Sequence, residues 1–117
     1  MYFKGEVVPQ DNQEAIKWWK LAADQGVSGA QFNLGVSYGK GQGVPQDYKE
    51  AAKWYRLAAE QGYANAQILL GGIYHRGRGV PKDGKEAVKW FRLAAEQGHP
   101  EAQTVLGSIY TLGQGIP

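Results

Sequence analysis

The chain has 117 residues, 13 basic and 11 acidic side chains, and a formal net charge of +2. Its composition, 43% hydrophobic and 21% charged with four Trp, is that of a folded chain rather than a disordered one. The scattered charge builds no field for nucleic acid, no apolar run nears the ~18 residues of a membrane span, and the lack of Cys removes disulfides and thiolate zinc sites.

An internal repeat organises the whole chain. Pro9, Pro45, Pro81 and Pro117 recur every 36 residues, and the residues between them align without a gap. The period divides a single domain, residues 1–117, into a partial unit 1–8 and units 9–44, 45–80 and 81–116. A repeat of this length cannot bury its apolar face alone, so neighbours complete one another's core.

The first eight residues read as the end of a preceding unit, because Tyr2 falls in the position of Tyr38 and Tyr74. In unit 9–44, Asp11 and Glu14 open a first helix that carries Trp18 and Leu21 and stops at Gln25-Gly26. A second helix follows with Ala30, Leu34, Gly35 and Tyr38.

Unit 45–80 shows the same plan in most detail. Asp47 is a candidate N-cap and Glu50 completes a capping-box spacing, which predicts a helix over 48–61. Ala51, Trp54, Tyr55 and Ala58 share its buried stripe, while Lys53, Arg56 and Glu60 fall on the solvated arc. Gly62 suits the left-handed position that ends such a helix. The second helix is predicted over 64–76, with Ala66, Leu69, Leu70, Ile73 and Tyr74 buried and Ile68, Gly72 and His75 on the other side. Gly77 to Pro81 then form the turn, since Pro cannot continue a helix. Short connections of this kind make neighbouring helices antiparallel. Small residues such as Gly71 and Ala58 are expected to let the two helices of a hairpin approach, and Trp54 to fill the space between units.

Unit 81–116 repeats these features at Asp83, Glu86, Trp90, Ala102, Leu106 and Tyr110, and Pro117 stands where another unit would begin. Both ends therefore read as cut. Solenoids normally carry polar caps on their terminal units and none is visible here. The expectation is a fragment of a longer array, or a chain whose matching ends stack head to tail. No signal peptide is visible at Met1 to Gly5, and localisation is left open.

The run Ala66-x-x-x-Leu70-Gly71-x-x-Tyr74-x-x-Gly77-x-Gly79-Val80-x-x-Asp83, then Lys85-x-Ala87-x-x-Trp90-x-x-x-Ala94-Ala95, closely resembles the Sel-one-like repeat family, a branch of the tetratricopeptide-type α-solenoids. The resemblance implies an all-α fold, a right-handed αα superhelix of about three antiparallel helix pairs, whose concave second-helix face holds a protein or peptide. It also implies an adaptor or scaffold role, known in signalling, in secretory quality control and in bacterial contacts with host or envelope proteins. Some bacterial relatives staple each hairpin with a disulfide and are linked to penicillin binding or β-lactamase activity. Without Cys this chain does not match that branch.

The chemical alternatives are weak. Ser37-Tyr38-Gly39-Lys40 has the Ser-x-x-Lys spacing of serine β-lactamases, but the partner motifs are missing and the spacing does not recur at Ile73 to Arg76. Gly39-Lys40-Gly41-Gln42-Gly43 resembles a phosphate-cradling loop but lies between helices, and its glycines recur in register, as a turn would. His75 and His99 lack further ligands at metal spacing. The expectation is no enzyme, no cofactor, no metal, no nucleic acid and no membrane insertion.

A partner is expected where the units differ from one another. On the second helices the candidate positions are Phe32 and Val36, then Ile68, Gly72, His75 and Arg76, then Thr104, Ser108 and Thr111. Phe32, Val36 and Ile68 could equally pad the packing between second helices. The basic cluster of His75, Arg76, Arg78 and Lys82 reads either as a solvated turn or as a site for an anion or an acidic partner.

Overall fold

The computed structural model describes residues 11–112; Tyr2, Pro9 and Pro117, and with them the partial unit 1–8, lie outside the described residues. Six helices of 13 residues follow one another: α1 (Asn12–Asp24), α2 (Ser28–Lys40), α3 (Tyr48–Glu60), α4 (Ala64–Arg76), α5 (Gly84–Glu96) and α6 (Pro100–Leu112). No strand occurs among the described residues. The result is an all-α helical-repeat solenoid.

The odd-numbered helices start where an aspartate satisfies the free backbone donors of the first turn. Asp47 accepts from the N–H groups of Lys49 and Glu50 at 3.0 and 3.2 Å, and Asp83 does the same for Lys85 and Glu86. Asp11 accepts from Glu14 N–H. These helices end in a shared motif. Gly62, at φ +90°, donates to Ala59 C=O while Tyr63 N–H reaches Ala58 C=O. This pair of bonds is the Schellman closure, and only glycine takes that φ without strain. Tyr63 C=O then accepts from Gln67 N–H, so one residue closes α3 and opens α4. Gly26 with Val27 and Gly98 with His99 repeat the arrangement.

The core runs along the stack rather than into one centre. Leu34 and Leu70 are its fully buried large side chains. Trp54 belongs to the cluster of Ile16, Ala23, Ala30 and Leu34 in the preceding unit, and Trp90 to that of Ala59, Ala66 and Leu70. Each tryptophan thus fills the space between units, as expected.

Three expectations need correction, and one tryptophan departs from its equivalents. Leu69 is not in the buried stripe of α4: it is 39% exposed, and Gln67 is buried in its stead. Gln67 tolerates this because its Nε2 donates to Ala59 C=O at 3.1 Å and its Oε1 accepts from Gln97 Nε2 at 2.9 Å, so its polar atoms are satisfied. Arg56 is not on a solvated arc. It is half-buried, lies over the Tyr74 ring at 5.5 Å and donates to the Tyr74 hydroxyl. Gly71 does not bring the helices of its own hairpin together. A Cβ there would lie 2.8 Å from the Phe91 ring in the next unit, and one at Gly35 would lie 2.5 Å from the Tyr55 ring. The glycines therefore set the docking of α2 on α3 and of α4 on α5. Finally, Trp18 is 57% exposed where Trp54 and Trp90 are 5% and 3%, because the described residues place no unit ahead of α1.

Candidate functional site

A groove of about 500 Å³ crosses α2, α4 and α6. Gly39 and Lys40 at the end of α2 and Tyr48, Ala51 and Tyr55 of α3 form one wall. Ile68, Gly72, Ile73, His75 and Arg76 of α4 run through the middle, and Glu101 and Val105 of α6 form the far side. The helical period dictates this set, since 68, 72, 75 and 76 lie on one face of α4.

Three obligate cations, Lys40, Arg76 and Arg78, border the groove against one carboxylate, Glu101. Arg78 is held in place: its Nη1 donates to the Tyr48 hydroxyl at 2.9 Å and its guanidinium sits 5.2 Å over that ring. Such a stacked arginine is oriented before a ligand arrives. The floor is apolar and aromatic, and burial pushes the Tyr55 phenol up to about 12 because its charged form would be desolvated. Gly72 has nothing within 4 Å of the place a Cβ would take.

Of the nine candidate positions, the structure brings Ile68, Gly72, His75 and Arg76 together on this groove. Ile68 also packs against Ala87, Phe91 and Ile109. Phe32 is half-buried, its ring 5.9 Å from Tyr55 and 5.1 Å from Tyr63. Val36 packs on the same α3–α4 cluster. Thr104, Ser108 and Thr111 line a separate, shallower groove on α6. The reasoning by variation missed Tyr48, Tyr55 and Val105. The first two belong to the following unit's first helix, and comparing second helices alone passes over them.

The chemical alternatives have a definite geometry. Ser37 is buried in α2 while Lys40 is exposed at the helix end, so the Ser-x-x-Lys spacing places no hydroxyl in an open cleft. Gly41 is the left-handed C-cap of α2, its N–H on Ser37 C=O. His99 Nε2 lies 3.0 Å from Asn65 Oδ1, and no group of three His, Cys, Asp or Glu among the described residues could hold a metal. No helix among them is long and apolar enough to cross a membrane.

The Sel1 repeat pattern matches residues 1–27, 28–63, 64–99 and 100–117. The chain belongs to the Sel1 repeat family. Solved structures agree. A Sel1 repeat protein from Oxalobacter formigenes is 44% identical with a TM-score of 0.90, over 94% of this chain and 45% of that one. A protective antigen of uropathogenic Escherichia coli strains, displaying an SLR fold, is 46% identical with a TM-score of 0.92, over 97% of this chain and 24% of that one. Helicobacter pylori cysteine-rich protein B is 28% identical with a TM-score of 0.79, over 83% and 73%. The Sel1 array described here thus spans less than half of the first two proteins. No curated protein gives a significant match. Sel1 repeats commonly serve as protein-interaction scaffolds and are generally non-enzymatic.

Proposed function

We propose that this Sel1 array is a scaffold that holds an extended segment of a partner protein in the groove across α2, α4 and α6. Apolar side chains of the segment rest on Ile68, Tyr55 and Val105, and its acidic groups face Lys40, Arg76 and Arg78. Complementary charge of this kind governs register and association rate more than raw affinity.

Gly72 carries the reading. A glycine inside a helix costs roughly 1 kcal/mol relative to alanine. Gly71 has a packing reason for that cost, because Phe91 fills its place, whereas Gly72 faces empty space. The other units have Val36 and Ser108 there. At Gly72 helix stability is exchanged for open volume in the middle of the groove.

Display of random peptides against the purified chain tests the proposal. Enrichment of sequences mixing acidic and apolar residues is expected, and it disappears in Gly72→Phe and in Ile68→Glu with Arg76→Glu, both still helical by circular dichroism. Enrichment that survives all of these substitutions, or none at all from the native chain, contradicts it.

A further inference from the structure

The C-terminal ends of α3 and α5 run against helix electrostatics. A helix favours a cation in its last turn, where the free carbonyl groups gather. Helices α2 and α4 comply with Lys40 and with His75 and Arg76, whereas α3 and α5 have no basic residue in the last turn and end on Glu60 and Glu96. The side chains that could offset these carboxylates stand one turn earlier, Arg56 and Arg92, at i, i+4 spacing. Both are committed elsewhere. Arg56 donates to the Tyr74 hydroxyl and Arg92 to that of Tyr110, and the guanidinium groups lie over those rings at 5.5 and 5.7 Å. Among the described residues neither Glu60 nor Glu96 forms an ion pair.

These two carboxylates border a second groove, of about 510 Å³, where unit 45–80 meets unit 81–116. It shares no lining residue with the groove across α2, α4 and α6. Trp90 and Leu93 of α5 give it an apolar floor beside Gln67 and Gln97. The glutamines are fixed, since Gln97 Nε2 donates to Gln67 Oε1 and to Gly62 C=O, each at 2.9 Å. Leu93 is 38% exposed, and so is its equivalent Leu57, which has a further unit stacked beyond it. The exposure is thus a property of the stacked repeat. Lys89, one turn before Leu93, lies over the Trp90 ring at 4.7 Å and outside the groove's lining.

We infer that this groove holds a basic segment of a partner protein, with a long basic side chain at Glu60 and Glu96 and an apolar neighbour on Leu93. The methylene stem of the basic residue covers apolar surface while its cation takes the place that Arg56 and Arg92 leave open. The chain's net charge of +2 gives basic peptides no general attraction, so their capture reads this site. The sign is opposite to that of the groove across α2, α4 and α6, and the array has room for two segments of opposite charge.

Display of random peptides against Gly72→Phe, in which the other groove is filled, provides the test. Enrichment of sequences mixing arginine or lysine with apolar residues is expected. Fluorescence anisotropy with one enriched peptide, synthesised and labelled, should show affinity reduced about fivefold or more by Glu60→Gln with Glu96→Gln. Leu93→Ser should act in the same direction. Glu14→Gln with Glu50→Gln, the same change of net charge at the opposite ends of α1 and α3, should leave the affinity unchanged, each variant being helical by circular dichroism. No enrichment of basic sequences overturns the inference, as does affinity that survives the paired change at Glu60 and Glu96 or falls equally in the pair at Glu14 and Glu50. The inference does not rest on the acidic-peptide groove, and a native chain that selects no acidic sequences leaves it standing.

Discussion

Adjacent glycines in α4 show how much a single hydrogen can decide. Gly71 lies under Phe91 and Gly72 lies over open space, although both are helical glycines in the same sequence context. Gly71→Ala should therefore cost about 1–3 kcal/mol by overpacking, while Gly72→Ala should gain up to about 1 kcal/mol from helix propensity. Urea unfolding of the two variants measures the difference, and equal effects would contradict the assigned roles. The buried phenol of Tyr55 gives a second residue-scale prediction. Burial holds its pKa at about 12 in the folded state, above the usual 10.0 of a tyrosine, so the folded state keeps the proton that the unfolded chain releases. Its contribution is complete below about pH 10 and is lost as pH rises toward 12. Tyr55→Phe should remove that part of the alkaline decline, as measured by unfolding at pH 9 and 11. The recurrence of Tyr55 with Phe91 was legible in the sequence. Its position over Gly35 was not, because the pair is formed between units and lies 20 residues apart in the chain.

At the scale of the helix, end chemistry was the most legible feature. Asp47 with Glu50, Gly62 and Gly77 each mark a boundary that the structure places within a residue of the expectation. Local hydrogen bonding sets these positions, so local sequence is enough to find them. Asp47→Ala should cost about 1 kcal/mol and should fray α3 first, seen as faster amide exchange at Lys49 and Glu50. Exchange that rises equally in α4 would show that the cap acts globally instead. Burial along a helix was less legible. Hydropathy put Leu69 inside and could not put Gln67 there, because the partners that satisfy Gln67, Ala59 C=O and Gln97 Nε2, come from the last turn of α3 and from the next unit. Even the equivalent tryptophans differ in detail. The indole N–H groups of Trp18 and Trp90 donate to Glu14 and Glu86, whereas that of Trp54 is buried without a partner. Glu50, its counterpart, instead lies 3.9 Å from Lys53 Nζ. Trp54→Phe should therefore destabilise less than Trp90→Phe by about 1 kcal/mol, a comparison that thermal unfolding can make.

Over the whole molecule, the repeat makes two kinds of surface from one sequence pattern. Positions that recur, such as Leu70 and Gly71, build the stack. Positions that vary divide between packing, as at Phe32, and the groove, as at Gly72 and Arg76. The sequence showed which positions vary but not this division, because the neighbouring unit decides it. Helices α2, α4 and α6 together offer an apolar floor with a basic border, which suits an acidic, partly apolar segment of another protein. Mapping amide chemical shifts while a display-selected acidic peptide is added tests this most directly. The account predicts shifts concentrated at Tyr48, Ile68, Gly72, His75 and Arg76 that shrink as salt is raised. Shifts confined to the exposed faces of α1 or α5, with these residues unmoved, would contradict it.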